Sequence, residues 1–299
     1  MNETVLPSQQ SSAEPMTDLG PSEMRRALRR FARNVPAMIS LTFILLVLVI
    51  AVLAPWIAPY PDDIGSAVNF RSRLLPPSAE FWLGTDEAGR DVLTRIMSGA
   101  QLSLSLGLVV IAVSLLVGVP IGIMAGYYGG WTARILMGLT DIFSSIPALV
   151  LALAIAVVLG PSIGNVMLSL SLIWWRVFAR IAYGQTLSIK QEDFVSVAKA
   201  MGASDLHIML REILPNMTST ITVKAALDAG SVILVATGIS FLGAGASPPT
   251  SEWGLMVASG RHYLPDAWWV SFFPGLAIFL TVMSLSLIGD GLRDFFGED

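Results

Sequence analysis

Residue types that perform catalysis or bind metals are scarce in this 299-residue sequence. It has no cysteine and only two histidines, His207 and His262, so the composition predicts no thiolate site, no cysteine nucleophile and no histidine metal cluster. Residues 160–164 match the G-x-S-x-G pattern around Ser162, but a nucleophile elbow needs a strand before it and a helix after it. The apolar segments on both sides indicate a turn between membrane helices. We therefore expect no catalytic residue here.

A nucleotide-binding loop is not predicted either. Such a loop binds phosphate through a Gly-Lys pair, whereas Lys190, Lys199 and Lys224 follow Ile, Ala and Val. We expect that the chain has no ATPase site and no cofactor of its own. Its 18 basic and 22 acidic residues give a net charge of -4, which leaves no basic surface for nucleic-acid phosphates.

Ionisable residues within or beside apolar segments are the remaining candidates for chemistry, because charges at membrane depth usually mark functional sites. Four charged residues lie close to the predicted inner face, where pairing is easy, so structural ion pairs are the favoured interpretation. They are Asp141, Arg180, Lys224 and Asp290. Arg176 and Asp228 lie deeper. They are candidates for a translocation path, with a purely structural role as the alternative.

The elements that position these residues are apolar helices. The sequence is 54% hydrophobic and 13% charged, with a mean hydropathy of +0.69, whereas about 25% of the residues in soluble domains are charged. Uncharged stretches outline the spans, because one ionised group at a helix centre costs about 2.5 to 3.5 kcal/mol. We predict an all-α membrane bundle of six transmembrane helices, over residues 36–57, 102–126, 134–159, 165–185, 217–243 and 268–289.

The polar segments divide the chain into parts. We predict a disordered, basic cytoplasmic tail, a first helix with an extracytoplasmic loop, a core of five helices and a short C-terminal tail, over residues 1–33, 34–100, 101–294 and 295–299. Thirteen of the 18 basic residues face the cytoplasm if both termini do, as the positive-inside rule predicts. The first apolar run is longer than a signal-peptide core, so we expect a retained helix.

Two segments have predicted structural roles. After the turn at Gly84, Thr85 or Asp86 should cap a short amphipathic helix that places Val92 and Ile96, together with Met97, on the membrane. In the second span, three glycines recur every four residues and would allow a neighbouring helix to approach closely. They are Gly118, Gly122 and Gly126. Helix packing is the favoured interpretation, and the lining of a translocation path is the alternative.

The inner loop, residues 188–216, contains a predicted helix-turn-helix. The apolar face of the first helix comprises Phe194, Val197, Ala198 and Met201. Gly202 should end this helix, and Ser204 should cap a second helix that runs to Pro215. Such an apolar projection either packs back on the bundle or enters a groove of another protein. The pattern alone leaves both interpretations open.

The loop resembles the E-A-A-x3-G-x9-I-x-L-P motif of permease subunits in bacterial ATP-binding-cassette importers. The matching residues are Ala198, Gly202, Leu214 and Pro215. Ser196 and Val197 replace the first Glu and Ala, and Glu212 replaces the Ile. Further segments resemble the dipeptide/oligopeptide permease C subfamily. They are LGTD (83–86), GRD (89–91), AGYYGG (125–130), FLGAG (241–245), PP (248–249), EWG (252–254) and GDGLRD (289–294). Ser251 and Ser286 depart from the usual Pro and Asn.

The resemblance implies a multi-pass permease of the bacterial inner membrane, in contact with lipid. Its partners would be a homologous permease subunit, two cytoplasmic ATPase subunits and an extracytoplasmic solute-binding protein. The outer loops near Trp253 and Trp268–Trp269 would meet the binding protein, although an interfacial aromatic belt is the favoured interpretation of the Trp pair. The resemblance assigns ATPase coupling to Phe194, Val197, Ala198, Met201, Gly202, Ala203, Ser204, Leu214 and Pro215.

The function implied is uptake of di- or oligopeptides. Within the same type of importer, nickel, glutathione or another small solute is an alternative. An ion-coupled secondary transporter is an alternative from another class, but it should show inverted repeats with broken helices at mid-membrane, and we find no such repeat in the sequence. A membrane-embedded enzyme is disfavoured because the polar residues have no convergent spacing.

Overall fold

The computed structural model describes residues 21–297, and its regular elements are helices. They are α1 (Pro21–Arg33), α2 (Val35–Ile57), α3 (Val92–Tyr128), α4 (Gly130–Ser144), α5 (Ala148–Leu159), α6 (Ile163–Ile189), α7 (Asp193–Ala200), α8 (Asp205–His207), a π-helical stretch (Ile208–Ile213), α9 (Leu214–Asn216), α10 (Thr218–Phe241), α11 (Trp253–Gly260) and α12 (Trp269–Phe296), with short 3-10 turns over Pro61–Ile64, Phe70–Ser72 and Arg261–Tyr263. Five helices, α2, α3, α6, α10 and α12, are long and apolar enough to cross a membrane. Counting the bent pair α4 and α5 as one crossing gives the predicted six.

The third span, predicted as one continuous helix, is broken in the structure. Helices α4 and α5 meet at a bend of 85°. Pro147 explains the break, because it lacks an N–H group and disfavours the helical conformation of Ile146 before it. The uncharged run that begins at residue 142 indicated a membrane segment correctly but did not indicate a continuous helix.

The second span begins earlier than predicted. The expected separate amphipathic helix is instead the first part of α3, and its cap is Asp91, whose carboxylate accepts a hydrogen bond from the Thr94 N–H at 2.8 Å. The predicted caps Thr85 and Asp86 are therefore wrong. Val92 is fully buried in an apolar cluster and does not lie on the membrane surface.

Helices α3 and α6 form the centre of the bundle. A Cβ atom on Gly118 would lie 2.3 Å from the carbonyl oxygen of Trp175, and one on Gly122 would lie 2.4 Å from that of Ala179. A Cβ atom on Gly126 would lie 2.6 Å from the Cβ atom of Thr186. The packing interpretation of the three glycines is confirmed, because only a residue without a side chain permits these backbones to approach so closely.

The two ends of the described part of the chain meet. Residues 21–33, predicted as part of a disordered tail, form helix α1, and the expectation for residues 1–20 lies outside the described residues. The Asn34 side chain caps α2 and donates a 2.7 Å hydrogen bond to Asp294. Helix α12 continues to Phe296, so the tail predicted from residue 295 begins later. Gly291 packs against Phe31 and thereby docks α1 on α12.

Candidate functional site

The inner loop has the predicted helix-turn-helix form. Helix α7 ends before Gly202, whose φ of +85° is a conformation that glycine adopts without strain. The Ser204 hydroxyl accepts a 3.3 Å hydrogen bond from the His207 N–H and caps the second helical segment. Both local predictions are confirmed.

The second helical segment is anchored by a π-helical stretch. Its five-residue spacing directs Ile208 and Ile213 towards the same side, and both are fully buried with Met217 in the main apolar cluster. The loop is therefore attached firmly to the bundle through residues 208–217. Sequence periodicity did not indicate the π-helical turn.

The first helix divides its apolar residues between two sides. Phe194 packs against the main cluster and Val195 is buried, so the single apolar face predicted for α7 is wrong. Ala198 is half-buried, as are Ala203, Leu214 and Pro215. Four large apolar side chains of the loop are exposed and form what we call the inner patch. They are Val197, Met201, Leu206 and Leu210, with Met201 the most exposed at 82%. Leu206 and Leu210 also line an apolar cleft with Val119 and Ile123 of α3.

Two polar contacts tie the inner loop to the end of α3. The Tyr127 hydroxyl donates a 2.7 Å hydrogen bond to the Asp205 carboxylate. The Lys190 ammonium donates a 2.8 Å bond to the carbonyl oxygen of Gly126. Between them lies a cleft of about 460 Å³, also lined by Lys199. Sequence reasoning missed Tyr127 and Asp205, because no local pattern links residues so far apart.

On the opposite side of the membrane spans, residues 58–91 and 244–268 form a compact region that we call the outer cap. Its centre is the buried Asp86 carboxylate, which accepts a 2.8 Å hydrogen bond from the Arg90 side chain and lies 3.3 Å from Arg95 Nε. The same carboxylate accepts hydrogen bonds from the backbone N–H groups of Ala88 and Arg90. Each of these buried charges therefore has an opposite partner.

The cap joins segments distant in sequence. Arg95 donates hydrogen bonds of 3.2 and 3.1 Å to the carbonyl oxygens of Pro249 and Thr250. The Trp253 indole N–H bonds to the carbonyl oxygen of Ile96 at 2.9 Å. The LGTD, GRD, PP and EWG segments that carried the resemblance thus meet in one structural unit.

Two of the three tryptophans in these outer loops are internal. Trp253 is only 2% exposed, and Trp269 is buried with its indole N–H bonded to the carbonyl oxygen of Thr85 at 3.1 Å. Trp268 is 48% exposed. The interfacial-belt interpretation is therefore wrong for Trp269, which, like Trp253, stabilises the cap, and contact of these loops with a binding protein stays a prediction.

Glu252 caps helix α11 from a buried position. Its carboxylate oxygens accept hydrogen bonds of 2.8 Å from the N–H groups of Gly254 and Leu255. Burial raises the pKa of Glu252, and these hydrogen bonds oppose the rise. Burial likewise raises the pKa of Asp91, against the hydrogen bonds from Thr94.

The charges at membrane depth fall into three groups. Asp228 is buried, with a 2.6 Å ion pair to Lys224 and a 3.1 Å hydrogen bond from the Trp174 indole. Arg180 and Asp141 form an exposed ion pair, so the predicted pairing of Asp141, Arg180 and Lys224 is confirmed. Arg176 belongs to neither pair, and its Nε is buried without a hydrogen-bond partner among the described residues. Arg176 and Asp228, the two candidates for a translocation path, therefore have different environments.

Together, the six-crossing bundle and its inner helix-turn-helix define a multi-pass transport subunit of the permease type. The chain belongs to the family described as binding-protein-dependent transport system inner membrane component, whose model matches residues 118–298. A second model, for the N-terminal TM domain of oligopeptide transport permease C, matches residues 22–77. Both matches confirm the resemblance to the permease C subfamily. The chain is a multi-pass protein of a bacterial inner membrane.

Several curated proteins are similar over most of their length. The chain is 44% identical over 255 residues to the probable D,D-dipeptide transport system permease protein DdpC of Escherichia coli K12, covering 85% of each chain. It is 40% identical over 282 residues to the di/tripeptide transport system permease protein DppC of Pseudomonas aeruginosa, covering 92% of this chain and 91% of that protein. It is 42% identical over 266 residues to the glutathione transport system permease protein GsiD of Escherichia coli O157:H7, covering 89% and 87%.

Proposed function

We propose that the chain is one permease subunit of an ATP-binding-cassette importer that carries di- or oligopeptides into the cytoplasm. Family membership carries this proposal, together with relatives named for dipeptide, di/tripeptide and glutathione transport. Glutathione is itself a tripeptide, so the three named solutes share one chemistry. Family membership disfavours an ion-coupled secondary transporter.

The proposed assembly contains a homologous permease, two ATPase subunits on the cytoplasmic side and a solute-binding protein on the outer side. Both termini are cytoplasmic in this arrangement, which is supported by the positive-inside distribution of basic residues. This chain then needs no ATP site and no cofactor of its own. ATP hydrolysis belongs to its partners.

The inner patch is the proposed contact with an ATPase subunit. Val197 and Met201 project from α7, while the rest of the loop is anchored in the bundle. Exposed large apolar side chains on a rigid projection favour insertion into a groove of another protein. Ala198, Gly202, Ala203 and Ser204 shape the turn, whereas Phe194, Leu214 and Pro215 attach it to the bundle. When the ATPase pair closes, movement of the patch shifts the bundle between two packings.

The proposed solute path runs along the broken third span. Residues 144–147, where α4 gives way to α5, are exposed in this chain, and so is the nearby ion pair between Arg180 and Asp141. Irregular backbone and charges at membrane depth are tolerated only inside protein or beside a water-filled cavity. This face therefore lies against the second permease or the path. Asp228, enclosed with Lys224 and Trp174, is better suited to holding α10 on α6 than to contacting solute.

The test of ATPase coupling is Met201→Asp, measured in the importer assembled with its partner subunits. A charge buried in an apolar groove should lower ATPase co-purification by about 30-fold, as for an interface hot spot worth about 2 kcal/mol, and abolish uptake. Gln191→Asp is the control, because it adds the same charge at an exposed position of the same loop outside the inner patch. Normal co-purification and uptake with Met201→Asp would refute the proposed contact.

A further inference from the structure

Arg176 is a cation at mid-membrane depth. It lies 13 residues from each end of α6 (Ile163–Ile189), or about 20 Å from either end at the helical rise. The hydrocarbon core of a bilayer is about 30 Å thick, so a helix α6 centred in the bilayer places this guanidinium near the midplane. Its Nε is buried and has no hydrogen-bond partner among the described residues.

The carboxylates at comparable depth already have partners. Asp141 pairs with Arg180, one turn nearer the inner end of α6. Asp228 pairs with Lys224 and accepts the indole N–H of Trp174. Helix α5, which packs on α6, has no ionisable residue. Within residues 21–297, no ion pair neutralises Arg176.

Arg176 also lies on the uncovered face of α6. Leu168 and Leu172 precede it and Arg180 follows it at four-residue spacing, and these three side chains are exposed. The neighbouring Trp175 packs inward against Phe143. This face borders the broken span, because Arg180 contacts Asp141 of α4.

An unneutralised arginine on this face needs an anion. A cation facing lipid at the midplane is unfavourable, whereas a guanidinium binds a carboxylate through two charge-assisted hydrogen bonds. We propose that Arg176 binds the carboxylate of the transported solute as it passes the membrane midplane. This inference rests on the proposed function, because every dipeptide with a free C-terminus carries such a carboxylate.

The same charge disfavours one alternative solute. A free divalent nickel ion would be repelled by an unpaired cation in the path, since charges interact strongly where water is scarce. Glutathione, which carries two carboxylates, would be attracted. The Arg176 site thus selects anionic groups, while recognition of the remainder of the solute falls to other parts of the importer.

The test uses the complete importer in proteoliposomes, with dialanine as the probe. Arg176→Gln should lower dialanine uptake at least about tenfold, the equivalent of about 1.4 kcal/mol, with normal assembly and ATP hydrolysis. Arg176→Lys, which keeps the charge but cannot form the paired guanidinium hydrogen bonds, should restore part of the uptake that Arg176→Gln loses. Leu172→Gln is the matched control, one turn away on the same face, and should transport normally.

A second probe, the C-terminal amide of dialanine, tests for the carboxylate itself. The ratio of amide uptake to dialanine uptake should rise at least about tenfold in Arg176→Gln, because the lost interaction is one that the amide never makes. No rise in this ratio would overturn the assignment, and so would failure of Arg176→Lys to restore uptake.

The remaining outcomes separate this inference from the proposed function. Normal dialanine uptake by Arg176→Gln would refute the carboxylate site and leave the peptide importer intact. Loss of co-purification with the second permease would identify Arg176 as an intersubunit ion pair and would also refute the site. If the wild-type importer transports neither probe, the peptide proposal fails and this inference fails with it.

Discussion

The outer cap and the inner loop use charged and apolar residues in opposite ways. In the cap, the buried Asp86 pairs with Arg90 and with Arg95 at the start of α3, and the aromatic residue Trp253 is internal. In the inner loop, Met201 is exposed and the Tyr127–Asp205 hydrogen bond lies at the surface. The cap completes its own interactions, whereas the loop leaves an apolar surface for another molecule. We infer that changes in the cap affect folding and that changes in the loop affect transport.

The largest effect should come from Asp86→Ala. It would leave Arg90 and Arg95 buried without their shared counter-charge, and breaking a buried ion pair costs about 3 to 5 kcal/mol. We expect a large loss of folded subunit from the membrane, measured by immunoblot and by the melting temperature in detergent. Asp62→Ala, at an exposed position of the same cap, should have little effect. A normal amount of a stable Asp86→Ala subunit would show that the network does not stabilise the cap.

A smaller effect, on transport alone, should come from Tyr127→Phe. This change removes one hydroxyl and its hydrogen bond to Asp205 with little change in volume, and a hydrogen bond to a charged group contributes at most about 1.5 to 3 kcal/mol. We expect normal assembly and ATP hydrolysis but severalfold more ATP consumed per solute transported. Tyr128→Phe alters the neighbouring exposed tyrosine and is the control. If Tyr127→Phe consumes no more ATP per solute transported than wild type, this contact has no part in coupling.

The smallest effect concerns the pH dependence of the cap. Because burial raises the pKa of Glu252 in the folded state, the protonated form favours folding. This stabilisation is fully present below the pKa of about 4.3 in the unfolded chain, and it is lost as the pH rises through the pKa of Glu252 in the folded state. The melting temperature of wild type relative to Glu252→Gln should therefore increase as pH falls from about 7 to about 4. A difference that is constant or decreases towards low pH would contradict this.

Local patterns predicted the inner loop better than the outer cap. Gly202 and Ser204 act on their immediate neighbours, so sequence sufficed to place the turn and the second helix. The burial of Trp253 and Trp269 depends on carbonyl groups 157 and 184 residues away, and no local pattern contains such pairings. The break at Pro147 was visible in the sequence, but the long apolar run around it masked its effect on the helix.

The length of α3 has a mechanical consequence. Its 37 residues extend about 55 Å, beyond the 40 to 45 Å of a whole bilayer with its headgroups. One end holds Arg95 within the cap, and the other holds Tyr127 against the inner loop. A rod of this length that tilts by about 5° moves its far end by about 5 Å. Helix α3 can therefore act as a lever whose small rotation near the ATPases changes the shape of the opposite, solute-receiving surface.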